Sequence, residues 1–120
     1  LIGIHLEAMG EAFVLAAKSG LDPEKVYGAI RGGLAGSAIL DMKFPMIMKR
    51  NFKPGFFVRL HNKDLKNALE TAESLGLTLP ATKMVHELTT SLVKSGHGED
   101  DNGIIIRGIE IMNNVEIKSV

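Results

Sequence analysis

The sequence predicts an all-α domain of about six helices, and three observations carry that prediction. Apolar residues recur at steps of three and four along most of the chain, as in Ile2, Leu6, Met9 and Phe13, or Val85, Leu88 and Leu92. No stretch alternates polar and apolar residues cleanly over the length of a strand. Glycines and prolines stand where helices would end and begin. Gly20, Gly76 and Gly96 follow periodic runs, while Pro23 and Pro80 sit at the head of others.

Each element has its own signals. The first helix runs from Leu1 to about Ser19 and carries Ile2, Leu6, Met9, Phe13, Ala16 and Ala17. Asp22-Pro23-Glu24 restarts a helix, with aspartate as N-cap, proline in the first turn and glutamate complementing the dipole. That helix stops at Gly32-Gly33, and Leu34 to Ser37 reads as a flexible link whose Ser37 caps the segment Ala38 to Lys49. Pro45 lies inside this segment, so two short helices are expected there. Pro54-Gly55 is a turn dipeptide. After it a helix runs from roughly Phe57 to Leu75, and Gly76 closes it. Leu77-Thr78-Leu79 connects to a helix opened by Pro80 that ends at Ser95-Gly96. Asp100 or Asp101 then caps a last helix bearing Ile104, Ile105, Ile109 and Met112.

Composition narrows the function. At 120 residues the chain is one domain, small for a complete cofactor-dependent enzyme. Its 14 basic and 14 acidic residues balance, with no block of like charge, which argues against nucleic acid and against an anionic membrane surface as partners. No apolar run is long enough to span a bilayer. With no cysteine there is neither a disulfide framework nor a thiolate zinc site, which suits a reducing cytoplasm. Leu1-Ile2-Gly3-Ile4 already lies within a periodic helix without a preceding methionine or cap, as expected of a piece cut from a longer protein.

The polar chemistry gathers around the turn. His61, Lys63 and Asp64 cluster just after it, and Lys63 can carry charge to a phosphate or polarise a carbonyl. Phe56 lies seven residues before Lys63. A helix beginning at Gly55 would set that ring and that ammonium on one face, suited to a flat anionic ligand. Elsewhere the signals are weak. His5, His61, His86 and His97 form no i, i+4 pair, so no metal site is expected. Gly36-Ser37 lacks the second glycine and the strand of a nucleophile elbow, leaving Ser37 as a cap. Glu7 and Glu11, one turn apart, read as surface charges.

Several segments together carry a resemblance. They are Ala8-Met9-Gly10-Glu11-Ala12, the run Ala16 to Val26, Arg31-Gly32-Gly33-Leu34-Ala35-Gly36-Ser37, Arg50 to Phe56, and Leu60-His61-Asn62-Lys63-Asp64-Leu65. Across nearly the whole chain they resemble the C-terminal domain of the β-hydroxyacid dehydrogenases. That resemblance implies the helical fold of the 6-phosphogluconate dehydrogenase C-terminal domain over residues 1–120. It also implies an N-terminal Rossmann domain, outside this chain, that binds most of an NAD or NADP cofactor. The helical domain would dimerise and close the active-site cleft, and the whole enzyme would move hydride between the nicotinamide and a small hydroxyacid or semialdehyde. Lys63 falls on the family's cofactor-contacting lysine, and Phe56 on an aromatic that packs near the nicotinamide. The family's catalytic lysine precedes Leu1, so no catalytic residue is assigned here and the isolated chain is expected to be inactive. His5, where relatives carry asparagine, is not promoted to a catalyst. The tail Asn113 to Val120 matches poorly. The alternatives are a branch of the family acting on 3-hydroxyisobutyrate, or a non-catalytic helical oligomerisation module.

Overall fold

Six α-helices and two short helical turns form the regular structure of residues 1–119, which the computed structural model of the chain describes. The order is α1 (Ile2–Lys18), α2 (Pro23–Ile30), α3 (Ala38–Met48), α4 (Val58–Ser74), α5 (Pro80–Leu92) and α6 (Ile105–Asn113). A π-turn, Val93–His97, follows α5, and a 3₁₀ turn, Asn102–Ile104, leads into α6. There is no β-sheet among the described residues; one isolated antiparallel bridge pairs Phe57 with Asp101.

The boundaries follow from local chemistry. Asp22 Oδ1 accepts the Glu24 N–H at 3.0 Å, and Ser37 Oγ accepts the Leu40 N–H at 3.1 Å. Each satisfies a donor left orphaned at a helix start. Ser37 is therefore a cap, as its sequence context predicts. Gly20 and Gly76 end α1 and α4 with φ of +76° and +70°, where a side chain would be strained.

α1 is the central element, packed by α2 and α3 on one side and by α5 and α6 on the other. Leu6 and Phe13 of α1 meet Leu40 and Phe44 of α3, Val85 of α5 and Ile105 and Ile109 of α6 in one apolar core. The Phe13 and Phe44 rings lie 4.8 Å apart, and Tyr27 of α2 stacks on Phe44 at 4.3 Å. α1 and α6 approach so closely at Gly10 that an added methyl would lie 2.7 Å from the Ile109 side chain. α4 and α5 are stapled by Asn62, whose Nδ2 donates to Thr90 Oγ1 at 2.8 Å and Thr89 Oγ1 at 3.0 Å.

Three expectations are corrected. Pro45 does not divide its segment: α3 is one helix with the proline inside it. Proline removes the bond that position 45 would donate to the Asp41 carbonyl. Both residues are exposed, so water can satisfy that carbonyl while Leu40, Phe44 and Ile47 stay in register on the buried side. The link Leu34 to Ser37 is not slack but follows tight turns, with Gly33 N–H donating to Ile30 O and Gly36 N–H to Gly33 O. Glu7 is not a surface charge. It is 6% exposed, because α5 and α6 both pack on that side of α1.

The tail is held in place. Ile117 is buried and its N–H donates to Glu110 Oε1 at 2.8 Å. The same carboxylate takes both terminal nitrogens of Arg50 at 2.7 and 2.8 Å, a bidentate pair that fixes the guanidinium plane. Arg50 adopts φ of +51° and opens the turn leading to α4. Val120 lies outside the described residues.

Candidate functional site

The turn between α3 and α4 is built by a carboxylate far away in sequence. Asp101, fully buried ahead of α6, accepts the backbone N–H of Gly55 at 2.9 Å, of Phe56 at 3.3 Å and of Gly103 at 2.8 Å. Its other partner is the Lys43 ammonium on α3, itself 6% exposed. Backbone bonds complete the clamp: Asp101 N–H donates to Phe52 O, Asn102 N–H to Phe56 O and Val58 N–H to Asp100 O. Burial alone pushes the Asp101 carboxyl up, but Lys43 and the Gly103 and Gly55 amides outweigh it and hold it below the usual carboxylate range. Lys43 and Asp101 thus face each other as a buried ion pair that ties α3, the turn and the start of α6 together.

This clamp forms one wall of the largest cleft among those that the described residues line prominently, about 860 Å³ in volume. Phe56, 39% exposed, presents its ring there, and Ile39, Met42 and Leu65 supply apolar walls. Its polar lining comes from Lys43, His61, Asp64 and Asn102. The Phe56 ring stands edge-on to the His61 imidazole, centroids 5.9 Å apart. His61 Nδ1 is 3.2 Å from Asn102 Nδ2. With the amide donating, the imidazole proton sits on Nε2. Burial lowers the His61 pKa, opposed by the Asp64 carboxylate and reinforced by the Lys43 ammonium, so the ring is neutral at pH 7. Asn102 Oδ1 is the one buried side-chain polar atom among the described residues without a hydrogen-bond partner, an arrangement that native interiors rarely leave standing.

The two residues singled out from the sequence fare differently. Phe56 lines the cleft, but from the turn rather than from the helix: α4 begins at Val58, with Phe57 as its N-cap. The shared helical face of Phe56 and Lys63 is therefore corrected. The Phe56 carbonyl accepts the Asn102 N–H at 2.9 Å, so it is not free for an α4 amide, and the helical bonds start from the Phe57 carbonyl. Lys63 is on α4 with its side chain 61% exposed and its ammonium 3.4 Å from Asp64. It is not among the cleft-lining residues, whereas Asp64 is. His5 lies elsewhere, in a smaller groove between α1 and the loop 31–37. Lys43 and Asn102 escaped the sequence reading. The available signal for Lys43 was a lysine at the i+3 position of the apolar series Leu40, Phe44, Ile47.

The arrangement defines a class: an all-α domain with an open cleft lined by one aromatic ring, apolar walls and a few polar side chains. Comparison with known proteins makes the class specific. Residues 1–109 match the family model described as the NAD-binding domain of NADP-dependent 3-hydroxyisobutyrate dehydrogenase. The chain is 38% identical over 114 residues to 2-hydroxy-3-oxopropionate reductase of Escherichia coli, covering 95% of this chain and 39% of that protein. It is 37% identical over 109 residues to probable 3-hydroxyisobutyrate dehydrogenase-like 1, mitochondrial, of Arabidopsis thaliana, covering 91% and 33%. Among solved structures, 3-hydroxyisobutyrate dehydrogenase from Salmonella typhimurium superposes with a TM-score of 0.82 at 26% identity, covering 89% of this chain and 38% of that one. The chain belongs to the 3-hydroxyisobutyrate dehydrogenase family of NAD(P)-dependent oxidoreductases, and corresponds to its helical, dinucleotide-binding domain. It spans between about a third and two fifths of the length of these relatives.

Proposed function

We propose that the chain is the C-terminal helical domain of an NAD(P)-dependent 2-hydroxy-3-oxopropionate (tartronate semialdehyde) reductase, closing the cleft over a nicotinamide held mainly by an N-terminal Rossmann domain. The observation that carries this reading is the cleft itself, with a half-exposed Phe56 ring on a turn immobilised by the Lys43–Asp101 pair. A flat ring bearing a carboxamide fits those surroundings: the aromatic plate packs on the ring, and Lys43, His61, Asp64 and Asn102 make the polar lining of the cleft. When bound, the nicotinamide supplies or accepts the hydride. This chain's residues bind, orient and exclude water, and the proton needed at the substrate carbonyl comes from a lysine preceding Leu1. On its own the chain is inactive. Lys63, 61% exposed beside Asp64, is free to swing toward a dinucleotide phosphate or ribose.

The substrate assignment follows the similarity to the E. coli reductase, and 3-hydroxyisobutyrate is the competing substrate because other relatives carry that name. The test is hydride transfer by the full-length protein that carries this chain. Both substrates would be offered with both cofactors, in the wild type and in Phe56→Ala and Lys63→Ala. The expected result is preferential turnover of tartronate semialdehyde, with KM for the cofactor raised about tenfold or more in each variant, since a lost aromatic contact or charged contact is worth on the order of 1–3 kcal/mol. Preference for 3-hydroxyisobutyrate would move the assignment to that branch. Absence of activity toward both would favour a non-catalytic helical module, and unchanged cofactor KM in both variants would remove Phe56 and Lys63 from the site.

A further inference from the structure

The sequence holds one Asn-Gly pair, Asn102-Gly103, and the fold sets it inside the Asp101 clamp. Both residues have structural work there. Asn102 N–H donates to Phe56 O at 2.9 Å, and its side-chain amide faces His61 Nδ1 at 3.2 Å. Gly103 N–H donates to Asp101 Oδ1 at 2.8 Å, and a Cβ on that glycine would lie 3.0 Å from the same oxygen and 3.5 Å from Lys43 Cδ. The clamp therefore calls for a carboxamide followed by a glycine. That pair is also the one in which the second residue's nitrogen reaches the first residue's side-chain carbonyl with least obstruction, because glycine has no Cβ.

In such an attack the Gly103 nitrogen gives its proton to hydroxide and bonds to Asn102 Cγ. A five-membered imide closes, and the side-chain nitrogen leaves as ammonia. Water then opens the imide. Cleavage on the side-chain side leaves aspartate; cleavage on the main-chain side leaves isoaspartate, whose backbone runs through Cγ and is one carbon longer. The folded chain obstructs the first step in three ways. The Asp101 carboxylate holds the Gly103 N–H, and its charge opposes loss of that proton. The 3₁₀ turn, closed by Ile104 N–H on Asp101 O, fixes the Asn102 backbone, and ring closure requires rotation out of it. Asn102 Oδ1 is buried without a donor, so nothing supports the oxyanion that forms at Cγ.

We propose that Asn102 is a modification site of this chain, kept silent by the Asp101 clamp, and that each opening of the clamp exposes it to an irreversible deamidation that undoes the Phe56 turn. The aspartate product buries a second carboxylate one residue from Asp101. The isoaspartate product lengthens the main chain between the two amides that now bond to Phe56 O and to Asp101 Oδ1, so both bonds cannot be kept. The inference stands apart from the catalytic reading, because its readouts are mass and hydrogen exchange.

The test incubates the 120-residue chain at pH 8, folded and in urea, and maps the conversion by mass spectrometry with isoaspartate separated from aspartate. In urea, Asn102 should convert ahead of every other asparagine. In the folded chain it should convert at least about a hundredfold more slowly. That factor should match, within about threefold, the slowing of hydrogen exchange at the Gly103 N–H seen by NMR, since one opening admits both reactions. Lys43→Met with Asp101→Ala removes the acceptor without stranding a buried charge, and should speed conversion at least about tenfold while circular dichroism shows the helices intact. Converted wild type, separated by ion exchange, should exchange its Gly55 and Phe56 amides, which Asp101 now holds, at least about tenfold faster. Folded wild type converting as fast as the chain in urea would overturn the inference. So would another asparagine converting first, a folded double variant no faster than wild type, or converted chain whose Gly55 and Phe56 amides stay protected. Should the double variant not fold, the match between conversion and exchange in the wild type decides.

Discussion

Glu7 should make this domain less stable as the pH rises from 5 to 8, and Glu7→Gln should abolish that dependence. The residue is 6% exposed. Burial, a hydrogen bond with Glu11 and repulsion from the Glu11 carboxylate, in that order, push its pKa from 4.5 up to about 7. Other titratable groups lining the same groove are Glu87 of α5 and His97 of the following turn, whose Nδ1 is 2.7 Å from Asp100 Oδ2. The sign follows from proton binding. Between pH 4.5 and 7 the folded chain holds a proton that the unfolded chain has released, so folding loses stability as pH rises through that window. The full displacement corresponds to at most about 3 kcal/mol. Because the groove is open to water, screening reduces the expected effect to about 1–2 kcal/mol. The assay is urea unfolding at pH 5, 6, 7 and 8, at protein concentrations low enough to keep the chain monomeric. The wild-type free energy should fall by that amount relative to Glu7→Gln, and the variant should be the more stable at pH 8, by roughly 4 °C per kcal/mol in thermal melts. His61 titrates in both proteins, so the difference between the two curves isolates Glu7. Parallel curves from pH 5 to 8 would refute the argument.

Two further predictions test the clamp and the packing. Asp101→Asn leaves the buried Lys43 ammonium without its counter-charge. It should cost about 3–5 kcal/mol in denaturant unfolding, while Lys43→Met with Asp101→Asn should recover a large part; a loss below 1 kcal/mol for the single change would mean the pair is solvated. Gly10→Ala places a methyl 2.7 Å from the Ile109 side chain at the α1–α6 crossing, and overpacking there should cost about 1–3 kcal/mol. Should Gly10→Ala stabilise the chain instead, through the better helix propensity of alanine, α6 must be free to move outward.

Most of the fold was legible because most of it is local. Asp22, Ser37, Pro23, Pro80, Gly20 and Gly76 mark helix ends through interactions within a few residues of themselves, and every one of them does what its type predicts. Two misreadings have a common origin in which face of a helix is wet. Pro45 is tolerated because its side of α3 faces water, and Glu7 is buried because its side of α1 does not. Pattern reading assigns a proline or a glutamate its average environment. Only the packing of α1 between four other helices decides the actual one.

The site is less legible for a stronger reason: its geometry comes from contacts that no periodicity encodes. The spacing of Phe56 and Lys63 suggested a shared helical face, and that argument fails because the Phe56 carbonyl is taken by the Asn102 N–H, far downstream in sequence, and the helix starts only after it. A residue read from the sequence as a simple N-cap does cap Gly103, yet the same carboxylate also holds the turn and neutralises a buried lysine from α3. Those three tasks cannot be separated by one substitution, but they differ in charge. An amide at position 101 keeps one acceptor oxygen, so it can serve Gly55 and Phe56 or Gly103 but not both sides, and it fails to neutralise Lys43. Should Asp101→Asn destabilise the fold yet leave the cofactor KM of the full-length protein unchanged, the ion pair serves packing alone. A rise in KM at temperatures where the variant remains folded would mean that the Asp101 carboxylate is what holds the Phe56 turn against the cleft.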